Sequence, residues 1–90
     1  MADQQAAAAS VTVRYFAAAK AAAGVDEEQL PLPEPPTLAA LLDTVRATHG
    51  DAVTAVLARC SYLVDEVAGR NGSTLAPGAE VDILPPFAGG

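Results

Sequence analysis

The chain has 90 residues, and 51% of them are hydrophobic with only two Tyr, two Phe and no Trp, which fits one small domain with an aliphatic core. Its formal net charge is −6, and the five basic residues are scattered singly, so no basic stripe is available to neutralise phosphates. This balance argues against nucleic acid as a partner and favours a basic protein surface.

The N-terminal residues 1–9 lack a basic start and are too weakly apolar for a signal peptide, and they are expected to form a disordered tail. No stretch of the sequence approaches membrane-spanning length, so no membrane contact is expected. The single cysteine, Cys60, cannot form an internal disulfide, which fits a reducing cytoplasm. Beside a strand, it is expected to be a small buried hydrophobe.

Residues 11–16 alternate in character and predict a strand. The face of this strand that is expected to lie on the core comprises Val11, Val13 and Tyr15. Phe16 is then an apolar exception on the outer face. The alanine-rich residues 17–23 predict a short helical turn that ends at Gly24.

Residues 26–33 are expected to form an edge strand, because Leu30 and Leu32 alternate while prolines interrupt the run. Three acidic residues open this segment, namely Asp26, Glu27 and Glu28. Nothing in the sequence fixes three neighbouring carboxylates on one side, so they are interpreted as a solvated hairpin tip and not as a metal site.

The main helix is expected to begin at Thr37, its N-cap, and to end at Gly50. Apolar residues recur at the spacing of one helical face. They are Leu38, Leu41, Leu42 and Val45. His49 lies in the last turn, where the helix dipole favours it, and is interpreted as structural because no catalytic partner is evident. Asp51 is expected to cap a second short helical segment.

Later strands are predicted over residues 61–64 and 79–84, with a short apolar piece at 67–68 and turns between them. The order is strand, short helix, strand, main helix and late strands. It predicts an α+β fold, in which a mixed sheet packs on one main helix, for a domain spanning residues 10–84.

Residues 85–90 are expected to form an extended C-terminal tail. Pro85 and Pro86 cannot donate to a strand ladder, so they end the last strand and direct the chain into solvent. Gly89 and Gly90 have no Cβ and can enter a channel too narrow for other residues. The carboxylate of Gly90 would then be the most accessible carbonyl carbon of the molecule.

Several segments carry a resemblance to a known family. They are residues 13–17 and 37–42, Leu63-Val64-Asp65, Leu75-Ala76-Pro77-Gly78 and, most specifically, residues 81–84 followed by Pro85-Pro86-Phe87-Ala88-Gly89-Gly90. On these residues the chain resembles the sulfur-carrier proteins of the ubiquitin-like β-grasp fold, and most closely the small subunits of molybdopterin synthase. The resemblance covers residues 10–90.

The resemblance implies a carrier and not a stand-alone enzyme. In that family an E1-like adenylating enzyme uses ATP to adenylate the terminal glycine, here Gly90, and sulfur then displaces AMP to leave a thiocarboxylate. The large subunit of molybdopterin synthase takes up the tail, including Gly89, and passes the sulfur to a cyclic pterin precursor of the molybdenum cofactor. Neither a bound cofactor nor a metal site is implied, and the sequence shows no nucleotide-binding loop or activated nucleophile.

The alternation also indicates a docking surface. In the last strand the outward residues are expected to be Glu80, Asp82 and Leu84. Because the first and last strands of a β-grasp sheet are neighbours, Phe16 and Leu84 would form an exposed apolar patch, which usually marks a partner. Alternatively, Phe16 covers a small satellite core. The resemblance implies that Phe16, Val67 and Leu84 face the partner with Lys20 nearby. The tail adds Pro85, Pro86, Phe87 and Ala88 to this partner-binding set.

Other functions remain open at this point. A sulfur carrier for thiamine or cysteine biosynthesis would share the Gly-Gly ending, although Leu84 and the Pro-Pro-Phe stem favour molybdopterin. A ubiquitin-like modifier would use the same activated Gly90 to join lysines of target proteins, and isopeptide conjugates would identify it. A plain interaction module would have an inert tail, and no enzyme would adenylate it.

Overall fold

The computed structural model of the chain describes residues 9–86. Its helices and strands in chain order are β1 (Ser10–Tyr15), α1 (Ala17–Ala23), β2 (Glu27–Pro31), α2 (Leu38–His49), α3 (Asp51–Leu57), β3 (Ser61–Val64), β4 (Val67–Ala68) and β5 (Glu80–Leu84). Residues 1–8 and 87–90, which make up most of the two expected tails, lie outside the described residues. The division into tail, domain and tail therefore stays a prediction.

The strands form one mixed sheet in the order β2-β1-β5-β3-β4. β5 lies at the centre, parallel to β1 and antiparallel to β3. β2 and β4 pair antiparallel with β1 and β3 and form the two edges. The expected edge strand and the expected pairing of the first and last strands are both confirmed.

The helix α2 packs its apolar stripe on one face of this sheet. The stripe residues are no more than 3% exposed, and they are Leu38, Leu41, Leu42 and Val45. The sheet contributes buried residues from alternate positions of β1 and β5, namely Val11, Val13, Tyr15, Val81 and Ile83. Each such side chain contributes about 1.5–3 kcal/mol when it leaves water, so this interface forms the core. The opposite side of the sheet, away from α2, is called the open face below.

The ends of the helices follow the sequence in two places and depart from it in one. Thr37 Oγ1 accepts a hydrogen bond from the backbone N–H of Ala40 at 3.2 Å, which confirms the N-cap of α2. Gly24 has φ +81° and confirms the end of α1. The expected cap at Asp51 is wrong. Gly50 is the N-cap of α3, because α2 ends at His49 and the single linking residue must take φ +85°, which glycine adopts most readily.

Within residues 9–86, no helix combines the length and the apolar character that crossing a membrane requires.

Candidate functional site

The C-terminal tail leaves the domain from the middle of the sheet. β5 ends at Leu84, and Pro85 and Pro86 follow it directly. The end of β5 is flanked by strands on both sides. Leu84 is opposite Ser61 of β3, and Ile83 is opposite Tyr15 of β1. The two prolines end the strand because they have no N–H to donate. The other tail residues predicted as functional, Phe87, Ala88, Gly89 and Gly90, lie outside the described residues.

Phe16 lies beside this exit. It follows β1 and is the extended N-cap of α1, with φ −122° and ψ 149°. Its N–H donates to the carbonyl oxygen of Ile83 at 3.3 Å, so it continues the β1–β5 ladder by one step. Phe16 is therefore level with Leu84 on the open face, and both side chains are half-buried. The structure brings these two residues together at the root of the tail; we call them the apolar pair.

An ion pair lies next to the apolar pair on the same face. Arg14 Nε and Nη2 donate to the two carboxylate oxygens of Asp82 at 2.8 and 3.2 Å. Asp82 faces the open side, as its outward position in β5 predicts, but its side chain is not exposed to solvent. It is only 6% exposed, because the Arg14 guanidinium lies against its carboxylate. The hydrogen bond to Asp82 is also the main reason that the pKa of Arg14 is raised.

Lys20 is exposed on α1, and its ammonium group lies 2.6 Å from a carboxylate oxygen of Asp26. A groove of about 440 Å³ lies where the end of β1, the first turns of α1 and the start of β2 meet. It is lined by Arg14, Tyr15, Phe16, Ala17, Lys20, Asp26 and Glu27. The structure thus brings Lys20 and Phe16 to one groove. An exposed pair of this kind contributes little to stability, so the lysine can exchange its partner at small cost.

Val67 lies elsewhere. It is 68% exposed and is paired with Val64 in the hairpin of β3 and β4. Val64 is in turn opposite the buried Val81, so this row of side chains lies on the helix side of the sheet. The structure does not bring Val67 together with the apolar pair, and its role as a partner contact stays a prediction.

A polar cluster under β1 was missed by the sequence reasoning. Glu28 Oε2 accepts a hydrogen bond from the Tyr15 hydroxyl at 2.5 Å and lies 2.5 Å from His49 Nε2. Glu28 is half-buried at the core side of β2, so placing it in a solvated hairpin tip is wrong, and His49 does have a partner. Burial and the bond to Glu28 raise the pKa of Tyr15. The cluster joins β1, β2 and the end of α2, which agrees with a structural role for His49.

The described residues contain no arrangement typical of a catalytic centre. No group of three or more His, Cys, Asp or Glu side chains within residues 9–86 is placed to hold a metal ion. Cys60 is half-buried against the core, and its thiol donates to the carbonyl oxygen of Val56 at 3.3 Å. Burial raises the pKa of this thiol, which disfavours the thiolate that a nucleophile needs.

Comparisons with known proteins agree with this geometry. Residues 13–90 match the ThiS family. In an alignment of 88 positions that covers 87% of this chain and 94% of that protein, the chain is 35% identical to the molybdopterin synthase sulfur carrier subunit of Emericella nidulans.

Solved structures show the same fold. A putative molybdopterin converting factor subunit 1 from Pyrococcus furiosus has a TM-score of 0.78 at 26% identity and covers 88% of this chain and 99% of its own. SAMP1 from Haloferax volcanii has a TM-score of 0.79 at 24% identity and covers 90% and 99%. Urm1 from Trypanosoma brucei has a TM-score of 0.72 at 17% identity and covers 93% and 98%. These likenesses confirm the ubiquitin-like β-grasp fold. The family match over residues 13–90 and the 35% identity to the Emericella nidulans protein show that the chain belongs to the ThiS family, as its resemblance to sulfur carriers predicted.

Proposed function

We propose that the chain is the sulfur-carrier subunit of a molybdopterin synthase and donates sulfur from a thiocarboxylate on Gly90. The observation that carries this proposal is the 35% identity to a molybdopterin synthase sulfur carrier subunit over nearly the whole chain. The match to the ThiS family also extends through Gly90, so the reacting residue lies inside the shared region.

The chemistry requires activation of a poor electrophile. In the proposed sequence the Gly90 carboxylate attacks the α-phosphorus of ATP on an E1-like adenylating enzyme, and pyrophosphate leaves. A sulfur nucleophile then attacks the acyl carbon, and AMP leaves with the oxygen that joined it to the carbonyl. The carrier contributes an unhindered acyl carbon, since two glycines present no side chain to either partner.

The catalytic groups belong to the partners under this proposal, and the chain has no resident cofactor of its own. The open face docks on the large subunit through the apolar pair, with Lys20 as a further contact. The stem of Pro85, Pro86, Phe87 and Ala88 carries Gly89 and Gly90 into the large subunit. A cytoplasmic location is part of the proposal.

Intact-mass spectrometry tests the central step. Incubation with the cognate adenylating enzyme, ATP and a sulfur donor should replace one oxygen by sulfur, and fragmentation should place the change at Gly90. Deletion of Gly90 should abolish the product, while thermal unfolding of the domain stays as in the wild type. Thiocarboxylate formation by the chain that lacks Gly90 would contradict the proposal.

The choice of pathway needs a second experiment. The thiocarboxylated chain is mixed separately with a molybdopterin synthase large subunit and its cyclic pterin precursor, with a thiazole synthase and with a cysteine-forming synthase. Dithiolene product in the pterin reaction alone supports the proposal. Turnover in one of the other two reactions alone would assign the same chemistry to another pathway, and isopeptide conjugates in cells would assign it to protein modification.

A further inference from the structure

The open face carries a second row of side chains directly behind the apolar pair. In the β1–β5 ladder Arg14 is opposite Asp82, and the next outward position of each strand holds Phe16 and Leu84. Two residues along a strand correspond to roughly 6.6 Å, so the two rows are adjacent. A partner that covers the apolar pair with a contact wider than one row of side chains therefore also covers Arg14.

Arg14 is held in a fixed position. Asp82 binds it through two parallel hydrogen bonds, and the Phe16 ring centroid lies 5.4 Å from its guanidinium carbon. A bidentate carboxylate and an aromatic ring together restrict a side chain that is otherwise long and mobile. The donor direction of Arg14 is thus set before a partner arrives, which reduces the entropy lost on binding.

One side of the guanidinium remains available. The bonds to Asp82 use Nε and Nη2, and no residue among those described accepts a hydrogen bond from Nη1. The Arg14 side chain is 38% exposed, and every buried side-chain N or O atom within residues 9–86 has a partner, so Nη1 is a solvated donor. A partner that covered it without supplying an acceptor would leave a charged donor unpaired, which is costly.

We propose that Arg14 is a specificity determinant of the carrier, which requires an uncharged acceptor oxygen, a backbone carbonyl or a side-chain amide, on the partner surface that covers the apolar pair. Asp82 is its positioning residue. The inference rests on the proposed function, because the partner is taken to be the large subunit of molybdopterin synthase.

The charges around Arg14 favour an uncharged acceptor over a carboxylate. Asp82 already neutralises the guanidinium, Glu80 lies 3.6 Å from its Nε, and Glu27 also acts on it electrostatically. Three carboxylates around one cation leave the site with an excess of negative charge. A fourth carboxylate would be repelled, whereas a neutral oxygen accepts a hydrogen bond from Nη1 without that repulsion.

Calorimetric titration of the full chain with the large subunit tests this inference. Removing Arg14 alone leaves the buried Asp82 carboxylate unpaired, which weakens the fold, so the informative variant is the pair Arg14→Leu with Asp82→Ala. The matched control is Arg46→Leu. Arg46 is 39% exposed and pairs with Asp43 at 3.0 Å, but it lies on α2, on the other side of the sheet. Thermal unfolding of each variant is measured in parallel.

The double variant is expected to bind about tenfold more weakly than the wild type while remaining folded, and Arg46→Leu is expected to bind as the wild type does. Because the acceptor is uncharged, the tenfold ratio should persist at high salt. If the two affinities become equal at high salt, the acceptor carries a charge and the inference of an uncharged acceptor is overturned. If the double variant binds with the affinity of the wild type, the inference is overturned, because Arg14 then serves only to neutralise the charge of Asp82.

The proposed function fails in a different way. If the wild type, loaded with thiocarboxylate, neither binds the large subunit nor transfers sulfur, the carrier assignment falls and the role of Arg14 at that interface falls with it. If the wild type binds and transfers while the double variant matches it, the assignment stands and only the role of Arg14 is overturned.

Discussion

Truncation of the apolar pair should weaken binding to the large subunit. The loss can be calculated from the part of the Phe16 and Leu84 side chains that is still exposed in the free chain. Full burial of a Phe or Leu side chain contributes about 1.5–3 kcal/mol. Phe16 and Leu84 are already half-buried, so about 1 kcal/mol each remains for a partner to gain. The double variant Phe16→Ala, Leu84→Ala should therefore lose about 2 kcal/mol of binding free energy, or about 30-fold in Kd.

The same half-burial means that part of the cost falls on the fold. We expect a loss of about 1 kcal/mol in the free energy of unfolding per truncated side chain, and a fall in Tm of about 4–8 °C for each. Binding to the large subunit is measured by calorimetry at a temperature where circular dichroism shows both proteins fully folded. Val67→Ala is the control, because Val67 lies on the helix side of the sheet.

Two results would refute this reasoning. Unchanged affinity of the folded double variant would show that the open face is not the docking surface. If only Val67→Ala lost affinity, the docking surface would lie on the helix side of the sheet, where the strand register places Val67.

The remaining predictions concern the fold and the tail. Above pH about 10 the tyrosines of the unfolded chain ionise while burial keeps Tyr15 protonated, so its contribution to the free energy of unfolding falls by about 1.4 kcal/mol per pH unit. Tyr15→Phe should make the free energy of unfolding fall less steeply with pH above about 10, as urea unfolding at increasing pH will show. Thr37→Ala should lower the free energy of unfolding by about 1 kcal/mol through loss of the α2 cap, measured by urea unfolding at neutral pH. Phe87→Ala should slow sulfur transfer in a single-turnover assay more than it weakens binding, since misplacement of the acyl carbon affects the rate directly.

The sequence predicted those features that a local pattern encodes. The alternation in β1 and β5 and the apolar spacing in α2 are short-range signals, and each element forms where its pattern lies. The long-range pairs have no such signal, because Glu28 and His49 are separated by 21 positions and their contact depends on how β2 meets the end of α2. A carboxylate next to two other acidic residues looks solvated until the fold places it.

The Arg14–Asp82 pair could have been found. Arg14 precedes Phe16 by the same two positions by which Asp82 precedes Leu84 in the neighbouring strand. Placing Phe16 beside Leu84 therefore also places Arg14 beside Asp82, and opposite charges at paired outward positions attract each other. The sequence interpretation used the apolar half of this correspondence and overlooked the charged half.

The central position of β5 has a mechanical consequence. Under the proposed function the tail is withdrawn from the large subunit after each transfer, and the resulting tension acts on Leu84. β5 is hydrogen-bonded along both sides, to β1 and to β3, so tension along its axis is shared in shear by two ladders at once. A tail attached to an edge strand would load a single ladder, so fewer hydrogen bonds would resist the same tension. Extraction should therefore release the tail without unravelling the domain, which leaves the carrier ready for another round of loading.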